Sequence, residues 1–138
     1  MGLLAGGAVH PPRKVKNGEI LLDYPVDLAI AGLEYTADLE TMPVEAAEGF
    51  SVGRKKEVSQ VSILFRESVG AKAGLGFGRL ENIKWRTDEP HGTPPRPFSG
   101  LKNLVVPGLA ETQVTICIRS DEPTPLTVLA LMSKMDLK

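Results

Sequence analysis

Three glycines, two histidines, one cysteine, scattered carboxylates and one basic run are the residues of this chain whose types could do chemistry. Gly74, Gly76 and Gly78 would suit a phosphate-binding loop, which needs a following helix whose N-terminal amides face the anion. Residues 80–86 are strand-like instead, the G-x-G-x-x-G spacing is not met, and no G-x-x-x-x-G-K-[ST] occurs. His10 and His91 stand beside prolines or glycines, and with Cys117 as the single thiol they fall short of a zinc ligand set, so both are expected to be solvated. A Cys117 nucleophile paired with His91 would need a base and electropositive surroundings, which its neighbours do not supply. Asp38, Glu40, Glu45, Glu48, Asp88, Glu89, Asp121 and Glu122 lie on a strand or in turns, where acids serve as caps and solvation. A hydrolase would require two of them to converge, about 5 to 9.5 Å apart, with split pKa values. Gly53-Arg54-Lys55-Lys56 is the densest basic run. Arg54, Lys55 and Lys56 are expected to form a basic patch that touches phosphate or an acidic partner surface or, as a charged strand entrance, discourages stray edge pairing or pairs with carboxylates. No catalytic residue, metal or cofactor is assigned, and the chain is expected not to be an enzyme.

The elements that must position these residues are short strands. In 138 residues there are 14 Gly and 11 Pro, which interrupt helices and permit turns, while 42% hydrophobic residues suffice for a core. Sixteen Lys and Arg against 17 Asp and Glu disfavour a basic nucleic-acid module, and seven aromatics offer few stacking platforms for single strands. One cysteine excludes an internal disulfide, Gly6 stands where a myristoylation signal wants Ser or Thr, and no apolar run nears the roughly 20 residues of a membrane helix. A soluble domain assembled in a reducing compartment, with no membrane insertion, is expected.

Residues 1–18, with Gly2, Gly6, Gly7, Pro11 and Pro12 and the basic Arg13, Lys14 and Lys16, read as an extended N-terminal arm, and residues 19–138 as the domain. Glu19 to Asp23 forms a first run. Val26, Leu28 and Ile30 alternate with polar or small residues as a strand with its apolar face inward, and Tyr35 to Thr41 repeats the pattern. Residues 45–48 suit at most one helical turn. Lys56 to Glu67 is the clearest strand, with Val61, Ile63 and Phe65 on one face. Leu80 to Arg86 puts Ile83 and Trp85 on one face after a glycine-rich hairpin or bulged ribbon. The Pro-rich stretch 87–100 is a surface loop or contact arm. Val114, Ile116 and Ile118 alternate in a half-buried strand with Cys117 on the opposite face. Pro125 to Met132 is read as a strand apolar on both faces, with Leu126, Val128, Ala130 and Met132 on one and Leu129 and Leu131 on the other. Such a strand is covered on both sides, centrally or by another chain. The fold class is all-β: an antiparallel sandwich or barrel-like domain with long Pro/Gly-rich loops.

The order of these segments resembles the C-terminal portion of the tail nozzle proteins of short-tailed bacteriophages, also called tail tubular protein B or stabilisation proteins. Ile30-Ala31-Gly32-Leu33-Glu34-Tyr35-Thr36-Ala37 and Leu39-Glu40-Thr41-Met42-Pro43-Val44-Glu45 look like that family's "v-G-l-x-Y-x-s … l-x-t-l-P-x-e". Gly53 to Lys56 with Val58 to Arg66 is similar to its "G-R-x-K" strand. Phe98-Ser99-Gly100, Val106-Pro107-Gly108, Val114-Thr115-Ile116 and Asp121 to Met132 are similar to the segments that follow. The resemblance spans about residues 18–135.

It implies a structural virion protein of the phage tail, assembled in the host cytoplasm. Copies would form a ring, normally of six, that meets adaptor, nozzle or fibre subunits and lets DNA pass non-specifically. A ring requires each subunit to offer two different patches. Trp85, Pro94, Pro95, Phe98, Leu126, Leu129 and Leu131 are the candidate interface residues. The alternative from a binding class is a carbohydrate module for host attachment, with Trp85, Tyr35 and the 87–100 loop lining a shallow site.

Overall fold

The computed structural model describes residues 1–46 and 51–138. Among them ten strands occur and no α-helix: β1 (Gly2–Ala5), β2 (Ala8–His10), β3 (Ala29–Gly32), β4 (Ala37–Glu40), β5 (Lys56–Ser68), β6 (Lys72–Gly74), β7 (Leu80–Asn82), β8 (Phe98–Val105), β9 (Cys117–Ser120) and β10 (Val128–Leu137). They make three antiparallel sheets, ordered β2-β1-β3, β10-β5-β8 and β4-β9-β6-β7. The protein is an all-β, sandwich-like domain. The helical turn expected at residues 45–48 falls partly on residues 47–50, outside the described residues.

β5 organises the core. Its Val58, Val61, Ile63 and Phe65 are buried and meet Ala73, Ile83 and Trp85 from the β6–β7 side and Val114, Ile116 and Ile118 around β9. Strand alternation thus turns one apolar face of the β10-β5-β8 sheet onto one face of the β4-β9-β6-β7 sheet. Trp85 stands at the centre of an aromatic stack, its ring 4.9 Å from that of Phe65 and 6.5 Å from that of Phe98, both edge to face. The glycine run also serves this packing. A Cβ on Gly74 would lie 2.0 Å from the Arg79 carbonyl oxygen, so the tight β6–β7 connection requires a residue without a side chain there.

Several expectations need correction. The N-terminal arm is two strands, β1 and β2, with Leu3 and Ala5 buried, and β1 pairs with β3 in register Gly2↔Gly32 to Ala5↔Ala29. One sheet therefore joins residues on both sides of the expected boundary at residue 18. Pairing supplies the burial that the glycine-diluted segment lacked by itself. Residues 19–23 form no strand beyond the single Lys16–Glu19 bridge. Val26 to Ile30 does not turn an apolar face inward, because β3 is an edge strand and Leu28 and Ile30 are exposed. The proline loop ends at Pro97, and Phe98 already opens β8. Cys117 is fully buried, as are Ile116 and Ile118, so this strand is covered on both faces.

The strand at the C-terminal end of the sequence starts at Val128 and runs to Leu137, paired with β5 on one edge only. Within the chain it is not central and not covered on both sides, since Leu129 and Met132 are exposed. A register shift between Val128 and Ala130 places Val128 and Leu131 on the same core-facing side, opposite Phe65 and Ile63. A one-residue bulge exchanges the faces of everything beyond it, which strict alternation could not register.

Candidate functional site

The basic run opens β5 by a tight turn. Gly53 adopts φ +74°, and the Arg54 amide donates to the Ser51 carbonyl at 3.1 Å. Val52, 70% exposed, stands with exposed Arg54 and Lys55 on this turn. Lys56 does not share their surface. Its side chain is buried, with Nζ donating to Glu45 Oε1 at 2.5 Å and to the Thr112 carbonyl at 3.1 Å. Ser51 Oγ, also buried, donates to the other oxygen of Glu45 at 2.5 Å and accepts the Ala46 amide at 2.6 Å. The ammonium and hydroxyl hold the Glu45 carboxyl below its ordinary range. The expected three-residue patch is thus an exposed pair on a pedestal that the third residue anchors.

At the far end of β5 lies a cleft of about 440 Å³ between the β2-β1-β3 sheet and the 121–124 turn. That turn is tied to the end of β5, since Thr124 Oγ1 donates to the Val69 carbonyl at 2.9 Å and the Val69 amide to the Pro125 carbonyl at 2.9 Å. Ile30, Leu33 and Tyr35 give the cleft its apolar wall, and Glu34, Asp121 and Glu122 give it negative charge. His10 lines it too but is buried, against the expectation of a solvated ring. Its Nδ1 donates to the Pro11 carbonyl at 2.8 Å, and its Nε2 accepts the Asp23 amide at 3.2 Å. Both ring nitrogens are occupied, which leaves neither as a base for a bound molecule. His91 is exposed on the proline loop.

The cleft continues into a ribbon without cover. Every residue from 27 to 40 is exposed, including Leu33 at 84% and Tyr35 at 77%, with Leu28, Ile30, Leu39 and Met42 exposed as well. One signal in the sequence marks this region. Between Lys16 and Arg54 the chain carries eight carboxylates and no Lys or Arg, while the remaining segments hold all 16 bases against nine carboxylates. The near-neutral total hides an acidic segment and a basic remainder.

The candidate interface residues do not form one exposed patch. Trp85 is 8% exposed and belongs to the core, as do the partly buried Phe98, Leu126 and Leu131 that pack against it. The Trp85 indole N–H is buried without a hydrogen-bond partner among the described residues. Leu129 alone of the seven is openly exposed, and Pro94 lies near the N-terminal hairpin, where a Cβ on Gly7 would be 3.3 Å from it. Of the three features of a sugar site only Tyr35 lines the cleft, since Trp85 and the 87–100 loop are elsewhere.

The carboxylates whose pKa is displaced all move down, opposite to a general acid. Arg119 holds Asp38 by two bonds at 2.7 and 2.8 Å and lowers it. Glu89 accepts the Thr87 and Arg96 amides, which bring it to about 2 and close the proline loop upon itself. Asp121 is paired with Lys72. Cys117, fully buried, offers no approach to a substrate.

The chain matches no protein-family model and no curated protein sequence.

Proposed function

We propose that this chain is a non-enzymatic structural component of a short-tailed phage tail, of the nozzle or tail-tube kind, which associates with copies of itself and with neighbouring tail subunits around the passage for DNA. The observation that carries this reading is the ribbon of residues 27–40, exposed along its whole length and studded with large apolar side chains. Scattered surface leucines are ordinary, but a contiguous apolar run with acidic flanks marks a protein contact. Burying one such leucine contributes about 1.5–3 kcal/mol, so covering several is a sufficient driving force for association. The same segment contains the Gly32-Leu33-Glu34-Tyr35 and Leu39-Glu40-Thr41-Met42-Pro43 stretches that resemble the nozzle proteins. The virion location and a ring of six follow from that resemblance and belong to the proposal.

Sedimentation and light scattering over a concentration series test it, together with capture by purified adaptor and nozzle subunits. Concentration-dependent assembly, or stable capture, is the expected result. A strict monomer at about 1 mM that no tail subunit captures overturns the reading.

A further inference from the structure

The two ends of β5 carry opposite and complementary features. At its start the Val52–Lys55 turn projects one exposed apolar side chain and two exposed cations. At its finish lies the cleft walled by Ile30, Leu33 and Tyr35, with Glu34, Asp121 and Glu122 at its margin. β5 has 13 residues, and at about 3.3 Å per residue the two features stand roughly 40 Å apart. They cannot meet within one chain.

We infer that the Val52–Lys55 turn of one copy seats in the acidic cleft of the next, making a head-to-tail contact between copies of this chain; the inference rests on the self-associating role proposed above. Three observations support it. First, the charges are complementary, since Arg54 and Lys55 take part in no ion pair among the described residues, and Glu34 and Glu122 are likewise unpaired there. Secondly, sizes agree. A cleft of about 440 Å³ has room for a valine side chain with a neighbouring guanidinium, and it is apolar where the valine would go and acidic where the cation would go. Thirdly, the turn is presented rigidly. The buried Lys56 ammonium, the Glu45 carboxylate and the Ser51 hydroxyl lock its base, so seating it orders the Arg54 and Lys55 side chains on a backbone already held at Ser51 and Lys56. A two-fold contact of cleft against cleft would instead set the carboxylates of the acidic segment against one another. Because the mating patches differ and lie at opposite poles, the contact propagates, and it closes into a ring or continues as a filament according to the rotation between copies.

The test uses the whole chain and reversed charges. Arg54→Glu with Lys55→Glu makes a variant whose turn is acidic, and Glu34→Lys with Glu122→Lys makes one whose cleft is basic. All four side chains are at the surface, and a circular dichroism melt checks that each variant stays folded. Each variant alone is expected to associate at least about tenfold more weakly than the parent, a factor equivalent to about 1.4 kcal/mol. Mixed one to one, they are expected to recover assembly, because an acidic turn then meets a basic cleft and the complementary junction is that of the parent. Val52→Asp, a change at an exposed position, is expected to weaken assembly on its own. If the parent assembles and the reversals leave its affinity unchanged, or if the mixture fails to recover, this junction is wrong while the structural role stands. A parent that stays monomeric and uncaptured removes both.

Discussion

β5 and the β3–β4 ribbon alternate apolar and polar residues in the same way, yet one seals its apolar face in the core and the other leaves every residue exposed. Val58, Val61, Ile63 and Phe65 are sealed beneath the opposite sheet, while Ile30, Leu33, Tyr35 and Leu39 meet solvent. The difference lies in position within the sheets. β5 is central in its sheet and faces another, whereas β3 and β4 are edge strands of two different sheets. Alternation specifies that a strand has two unlike faces, and what covers the apolar one is a separate matter decided by neighbours. For the ribbon, the proposed neighbour is a second copy.

Substitutions at matched positions test this contrast. Phe65→Ala removes a fully buried ring that stacks on Trp85, and a loss of about 3–5 kcal/mol in unfolding free energy is expected from urea denaturation. A loss below about 1 kcal/mol would show that the core does not depend on this stack. Gly74→Ala drives a methyl into the Arg79 carbonyl, and a cost of about 1–3 kcal/mol is expected in the same assay. An unchanged midpoint would mean that the β6–β7 connection is looser than its geometry requires. Leu33→Ser, in the ribbon, should alter stability by no more than about 0.5 kcal/mol, while weakening assembly measured by sedimentation. A large loss of stability in the monomer would place Leu33 in the chain's own core and abolish the contrast.

Much of the strand content was legible because it is local. Val61, Ile63 and Phe65 recur with period two, and Ile83 with Trp85 does the same; side-chain direction follows directly from that period. The N-terminal strands were not legible because Gly2, Gly6 and Gly7 carry no side-chain pattern, and the strand that ties the β1–β2 hairpin to the rest of the chain, β3 at 29–32, lies more than 20 residues from β1. The faces of β10 were misassigned because a bulge at Leu129 depends on the register with β5, not on β10 itself. Lys56 read as part of a surface run because its partners, Glu45 and the Thr112 carbonyl, are 11 and 56 residues distant. The cleft was invisible for the same reason, although the acidic block between Lys16 and Arg54 was there to be counted.

By itself the sequence determined that this is a chain of short strands, broken by glycine and proline, with alternating residues enough for one sandwich-like core; these are properties of backbone dihedrals and of neighbouring side chains. Tertiary structure decided which strands lie at edges, which of two apolar faces is sealed, that His10 and Lys56 are buried, and that a basic turn and an acidic cleft stand at opposite ends of one strand. Those outcomes depend on contacts between residues far apart along the chain, whose pairing is set by the summed burial and hydrogen bonding of whole sheets and by no local pattern.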